Sequence, residues 1–231
     1  MNIVNLAQWP AHVFPDPGMA LDEPDGLLAI GGDLSPTRLL SAYRSGIFPW
    51  YGASDPILWW SPDPRAVFWP GQVHCSRRLQ RKLRKHSFRA TRNRDFAAVM
   101  RHCAAPRNDD RQTEQPDEQS DDQGTWLHAD MQAAYLQLHQ LGHAHSVEVF
   151  AADDSLAGGL YGVVVGRVFC AESMFSSQTD GSKIALLALS DWTAQLNFKL
   201  IDAQMMTSHL ASLGAQSISR RAYLQLLQEH G

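Results

Sequence analysis

GIFPWYGASDPILWWSPDPRAVFWP, residues 46–70, is the stretch on which the reading of this chain turns. It holds four of the seven tryptophans (Trp50, Trp59, Trp60 and Trp69), together with Phe48, Tyr51, Phe68 and five prolines. Aromatic rings offer large apolar faces on few rotatable bonds, and proline fixes φ and keeps its neighbours extended or turned. So stiff and ring-rich a segment serves either as a core corner between two domains or as a platform for flat ligands such as nucleobases. The run Ser61-Pro62-Asp63-Pro64 cannot be helix interior or central strand. A boundary is therefore expected there, with a small N-terminal domain over 1–63 and a larger one over 64–231.

Upstream, Asp25 to Gly32 reads as a short strand between turns. Ser35-Pro36 opens a helix with an N-cap and a proline at its first position, and Gly46 stops it. Downstream, apolar spacing predicts helices over 94–103, 129–141, 182–196 and 219–228, the last capped by Ser219. Strands are expected at 145–150 and 200–204, with a hairpin over 155–175 turning at Gly166-Arg167. Strands followed by helices make the fold class α+β: a small N-terminal α/β domain plus a mixed-sheet C-terminal domain. Residues 104–124 carry seven acids against two arginines and no apolar side chain larger than Ala or Pro, so they are expected to be a mobile polar loop.

The net charge of −4 hides an asymmetry. Residues 77–94, RRLQRKLRKHSFRATRNR, hold nine Lys or Arg and no acid, leaving 11 basic and 24 acidic residues, or −13, elsewhere. In a helix, Arg77, Arg81, Arg84 and Lys85 share one face, which suits contact with a polyanion; the alternative is a solvated face. The three cysteines are odd in number and widely spaced, against a disulfide framework or a zinc ribbon. No charged and apolar leader opens the chain and no membrane-length apolar run occurs, so a cytoplasmic protein with reduced thiols is expected. No long heptad demands a partner helix, and a monomer is expected.

Three places could hold chemistry. In KLIDAQ, read as a strand, Asp202 and Gln204 lie on one face, and neither can be buried without a partner. In FCAESMF, Glu172 sits among apolar neighbours on the face of Cys170 and Met174, awaiting a cation from a ligand or from the chain's own arginines. Gln178 to Lys183 resembles a pyrophosphate-cradling loop at a helix N-terminus, with Lys183 where a small residue is usual. His139, His143 and His145 lack a third ligand at a known zinc spacing, so no metal is expected.

Beyond these residues, EPDGLLAIGGDLSPTRLLSAYRSGIFPWY, DPILWWSPDPRAVFWP, TWL, GHAHSVEV, AGGLYG, FCAESMFS, KLIDAQ and HLASLGA run in order across nearly the whole chain. In this the chain closely resembles the bacterial leucyl/phenylalanyl-tRNA–protein transferases; the acidic stretch before Thr125-Trp126 is longer than that family needs. The resemblance implies a small N-terminal domain and an acetyltransferase-like (GNAT-type) C-terminal domain. It also implies transfer of Leu or Phe, and Met less well, from aminoacyl-tRNA to a protein's N-terminal Arg or Lys, marking that protein for degradation. No metal, nucleotide or coenzyme is implied. Asp202, Gln204 and Glu172 become the catalytic group, with Asp202 either a base or the holder of Gln204, and Glu172 binding the acceptor's cation. Trp50 and Trp126 would take the terminal adenosine, Tyr43 would contact substrate, and Leu160, Phe169, Met174 and Leu186 would line the donor's side-chain pocket. Arg77, Arg81, Arg84 and Lys85 would grip tRNA phosphates without reading bases.

Two other readings stay open: a coenzyme-A-dependent N-acyltransferase using 178–183, and a non-catalytic RNA-binding module. Reversing the charge at Arg81 and Arg84 is expected to weaken tRNA binding and to flatten its salt dependence, by about one slope unit for each phosphate no longer neutralised. An unchanged slope would put the tRNA elsewhere.

Overall fold

The structure, a computed structural model, describes residues 3–85, 88–105 and 127–230. The N-terminal part comprises β1 (Val4–Asn5), β2 (Leu27–Ile30), α1 (Pro36–Arg44), β3 (Phe48–Pro49) and β4 (Leu58–Trp60). Its four strands form one sheet in the order β1-β2-β4-β3. The Ser35 side chain caps α1 by accepting from the Arg38 amide, as the Ser-Pro signal requires. Gly46 ends the helix at φ +73°, and a Cβ there would lie 2.5 Å from Leu224. Only glycine satisfies both demands. Trp59 is fully buried in this part, donating from Nε1 to Gly31 O at 2.8 Å and meeting the Phe14 ring edge-on.

After Trp60 the chain passes through the proline run into a second sheet. It contributes β5 (Arg65–Phe68), α2 (Arg77–Lys85), β6 (Arg89–Arg92), α3 (Phe96–Ala104), α4 (Ala129–Gln140), β7 (Ala144–Phe150), β8 (Leu156–Val165) and β9 (Val168–Ser176). There follow α5 (Gly181–Gln195), β10 (Leu200–Asp202), α6 (Ser208–Ser212), β11 (Gln216–Ile218) and α7 (Arg220–His230). The seven strands are ordered β11-β5-β10-β9-β8-β7-β6. β9 and β10 run parallel, joined across α5, while β6 to β9 form an antiparallel meander. One face packs on α3, α4 and α7, in a core continuous with that of the small sheet through Leu39, Tyr43, Phe48 and Trp60. The other face packs on α5 and on Leu79 of α2. Among the described residues no helix is long and apolar enough to cross a membrane.

Two local expectations are corrected. The strand containing Asp202 stops there, because Gln204 adopts a left-handed φ of +56°, so Asp202 and Gln204 are not alternate residues of one strand. In β9 the register shifts between the Tyr161–Ser173 and Gly162–Ala171 pairs, which makes Glu172 a bulge residue. Cys170 therefore stays in the core with Tyr223, while Met174 joins Leu160 and Leu186 on the opposite face rather than sharing a face with Glu172. The basic run also divides. Its first part is α2; its last three arginines lie on or beside the edge strand β6, where Arg89 and Arg94 cover Phe150 and Arg92 covers Trp192 at 4.0 Å.

Gly158 and Gly181 bring β8 and the start of α5 into backbone contact. A Cβ on Gly181 would sit 2.1 Å from the Ala157 carbonyl oxygen. Gly181→Ala is expected to cost about 2–3 kcal/mol, lowering Tm by roughly 4–12 °C. A melting curve superimposable on that of the parent would contradict this packing.

Candidate active site

β10 pairs with β9 only as far as Asp202 opposite Cys170. Beyond that pair the two chains separate, and a cleft of about 800 Å³ opens where they part. Glu172 and Gln204, each two residues past the last pair, face one another: Gln204 Nε2 donates to Glu172 Oε1 at 3.2 Å. Apolar walls come from Leu160, Met174, Leu186 and Leu210, and from Phe48, Pro49 and Trp50 of the small sheet.

Asp202 is fully buried and has no lone pair to spare. Its Oδ1 accepts from Arg65 Nε at 2.8 Å and from the Gln204 amide at 2.9 Å. Its Oδ2 accepts from the other arm of the Arg65 fork at 2.7 Å and from the Tyr223 hydroxyl at 2.9 Å. A carboxylate so saturated and so enclosed orients other groups; it is not placed as a base toward a substrate in the cleft. Gln204 is pinned besides by Ala66, which accepts from the Ala203 amide and donates to the Gln204 carbonyl. Because Nε2 points at Glu172, the amide's oxygen is left to accept from whatever enters the cleft.

Glu172 Oε2 accepts from the Tyr135 hydroxyl at 2.8 Å. That hydroxyl lies 2.6 Å from the hydroxyl of Tyr43. Tyr135 has a single proton and gives it to Glu172, so Tyr43 is the donor between the two tyrosines. Tyr43 is thus buried behind the site rather than lining the cleft. Burial pushes the Glu172 carboxyl up to about 7, against the pull of the Tyr43 and Tyr135 hydroxyls; the Asp202 charge adds to the rise and Arg65 opposes it.

Trp50 is the exposed ring of the quartet, 41% accessible at the cleft and braced edge-on by Trp60, whose Nε1 donates to the Trp50 carbonyl. Trp69 instead donates to Gln216 within the larger sheet. Trp126 lies outside the described residues. Phe169 is not part of the cleft wall. It sits in the apolar layer behind, its ring over Gly162, and lines a second cavity of about 300 Å³ beneath α5.

On α2, Arg77, Arg81 and Arg84 line one exposed groove, while Lys85 is exposed outside it. Lys82 is the member that folds back, donating to the Thr179 carbonyl and pairing with Asp180 at 3.1 Å. At the same corner Ser176 Oγ takes the Ser182 amide, and Asp180 also pairs with Lys183. The 178–183 loop therefore turns its polar groups to the chain's own side chains. Two of the three histidines likewise have internal contacts: His139 contacts the Ala144 carbonyl and stacks on Phe96, and His145 contacts Asn93. Among the described residues no group of three His, Cys, Asp or Glu could hold a metal ion, and all three cysteines are free.

Two family models match the chain in sequence order. That for the leucyl/phenylalanyl-tRNA protein transferase N-terminal domain covers residues 32–63, and that for leucyl/phenylalanyl-tRNA protein transferase covers residues 67–228. A leucyl/phenylalanyl-tRNA–protein transferase of Shewanella piezotolerans is 51% identical over 99% of this chain and 91% of its own. One from Shewanella baltica is 53% identical over 94% of this chain and 86% of its own. A solved structure of L-PGS from Bacillus licheniformis aligns loosely, with a TM-score of 0.39 and 9% identity over 80% of this chain and 57% of that one. The chain belongs to the leucyl/phenylalanyl-tRNA–protein transferase family.

Sequence reasoning missed Arg65, Tyr135 and Tyr223. The signal for Arg65 was present, as a cation between a proline run and the apolar Ala66-Val67-Phe68. Tyr135 stood on the apolar face of a helix with a hydroxyl that needed a partner.

Glu172 carries a linkage prediction. Its native carboxyl titrates at about 7, above the 4.5 of an unperturbed side chain. Between those values the native state holds a proton that the unfolded chain has released, so the contribution is full below the window and is lost as pH rises through it. Urea midpoints of the parent relative to Glu172→Gln are expected to fall between about pH 5 and pH 8. Parallel behaviour of the two proteins would show that Glu172 does not titrate in this window.

Proposed function

We propose that this chain moves Leu or Phe, and Met weakly, from aminoacyl-tRNA to the N-terminal Arg or Lys of a protein, marking it for degradation. The observation that carries this reading is the Glu172–Gln204 pair, facing one another at the opening of an apolar cleft whose other wall ends in the exposed ring of Trp50. The terminal adenosine stacks on Trp50, with Trp126 as its second contact by family resemblance. The donor's side chain occupies the apolar end of the cleft against Leu160, Met174 and Leu186. Phe169 backs that pocket, and Arg77, Arg81, Arg84 and Lys85 hold the acceptor-stem phosphates.

The donor is an activated ester, and an α-amine of pKa near 8 is already neutral in roughly a fifth to a third of molecules at pH 7.4. Positioning then supplies much of the barrier reduction. The Gln204 oxygen accepts an N–H of the incoming amine and directs its lone pair at the ester carbonyl. The new C–N bond forms, the bond from the acyl carbon to the ribose oxygen breaks, and the amine's proton ends on that oxygen. The acceptor's guanidinium or ammonium pairs with Glu172 and favours its ionised form. Asp202 holds Gln204 in place, and Tyr43 acts on substrate indirectly, through Tyr135 and Glu172.

Supporting detail extends to the architecture. The meander β6–β9 followed by the β9–α5–β10 crossover supports the acetyltransferase-like reading of residues 64–231, with residues 1–63 as a small N-terminal domain packed on it through a shared core. A monomeric, cytoplasmic enzyme without a cofactor fits this reading.

The test pairs two donors with one acceptor. Leu-tRNA and a peptide beginning with Arg should give the leucylated peptide; acetyl-CoA with the same peptide should give nothing. Gln204→Ala should lose on the order of a hundredfold in transfer rate while keeping its affinity for Leu-tRNA. Acetylation would support the coenzyme reading instead, and tRNA binding without product would leave an RNA-binding module. Full transfer by Gln204→Ala would remove Gln204 from the chemistry.

A further inference from the structure

Among the described residues, the Arg65 side chain directs its hydrogen bonds to Asp202 and Gly46, each two residues from a residue that lines the cleft. Nε and one terminal nitrogen clasp both oxygens of Asp202, and the other terminal nitrogen donates to the Gly46 carbonyl at 3.1 Å. The guanidinium lies between two rings, 4.9 Å from the centre of Phe48 and 4.4 Å from that of Tyr223. Phe48 and the Gly46 carbonyl belong to the segment leading to Trp50, and Ser61 Oγ also donates to that carbonyl, at 3.1 Å. Asp202 in turn holds the amide of Gln204, which sits at a left-handed φ that is strained for a residue with a Cβ.

A buried ion pair is poor evidence for stability as such, since apolar replacements of similar volume often do as well. These contacts instead link the strand bearing the stacking ring to the turn bearing the amide. We propose that Arg65 is a positioning residue for the transfer. Through Asp202 it fixes the main chain of Gln204, and through Gly46 and Phe48 it sets that turn in register with Trp50. The inference rests on Gln204 acting at the reacting ester. Tyr223, the second donor to Asp202 Oδ2, is the auxiliary of the same device.

Two substitutions test it. Arg65→Lys keeps the charge but loses the planar fork that meets both carboxylate oxygens. Tyr223→Phe removes one hydroxyl and leaves the ring beneath the guanidinium. Single-turnover transfer of Phe from Phe-tRNA to a peptide beginning with Arg is measured, with Phe-tRNA affinity and melting temperature followed on the same preparations. Arg65→Lys is expected to slow transfer on the order of tenfold to a hundredfold with unchanged Phe-tRNA affinity, and Tyr223→Phe to slow it less, in the same direction. Folded variants that transfer at the parental rate would overturn the proposal. So would a loss confined to tRNA affinity or matched by the fraction of unfolded protein. Should Arg65→Lys fail to fold, Tyr223→Phe decides by the same criteria. Gln204→Ala, run alongside, separates the two readings. If it is slow while both variants are fast, only the role of Arg65 falls; if it too is fast, the role of Gln204 falls with it.

Discussion

Removing a guanidinium and a carboxylate from water costs several kcal/mol for each ion, and mutual attraction offsets that only when the geometry is good and the remaining valences are filled. Arg65 and Asp202 meet both conditions, through a two-pronged contact completed by Tyr223, the Gln204 amide and the Gly46 carbonyl. The consequence is architectural. At Asp202 the β9–β10 pairing ends; the carboxylate turns the chain away into the left-handed Gln204, and the bulge at Glu172 re-aims the facing strand. The opening between two otherwise regular strands thus begins at the ion pair.

The cleft is assembled from halves that differ in chemistry. The small sheet contributes rings, namely Phe48 and Trp50, braced by Trp60. The large sheet contributes the carboxylate, the amide and the aliphatic floor. Two polar threads cross between them: Gly46 to Arg65 to Asp202, and Tyr43 to Tyr135 to Glu172. Both start from the C-terminal end of α1, so one turn of helix addresses both members of the Glu172–Gln204 pair. The basic helix is tied to the same body by Lys82, which reaches the loop ahead of α5, the helix that supplies Leu186.

Helices and strands were legible in the sequence wherever their determinants are local. Ser35-Pro36 announced α1, the periodicity of 129–141 announced α4, and Gly166-Arg167 marked the β8–β9 turn. The family resemblance rests on long contiguous motifs, and matches to family models covering 32–63 and 67–228 establish it. What escaped is non-local. Arg65 and Asp202 are 137 positions apart, and nothing in either neighbourhood states that they meet. The alternation rule put Glu172 and Met174 together because a bulge is decided by the partner strand, not by the strand's own sequence. Gln204 looked like a strand residue because its backbone conformation is imposed by the Asp202 side chain two positions before it. Composition marked the tryptophan cluster of residues 46–70, whereas the exposure of Trp50 within that cluster is a property of packing.

The seven-stranded sheet ends in β6 on one side and β11 on the other, both short and largely exposed. A bare strand edge is a template for pairing with another chain, and the apolar, glycine-rich β8–β9 hairpin would be a dangerous neighbour for such an edge. On β6 that edge is armed with Arg89, laid over Phe150 of β7, and Arg92, laid over Trp192 of α5. Anchored in this way, the cations stay at the rim, where an approaching strand would have to desolvate them. The arginines that a charge count groups with the basic helix α2 thus guard the sheet's edge against pairing with another chain.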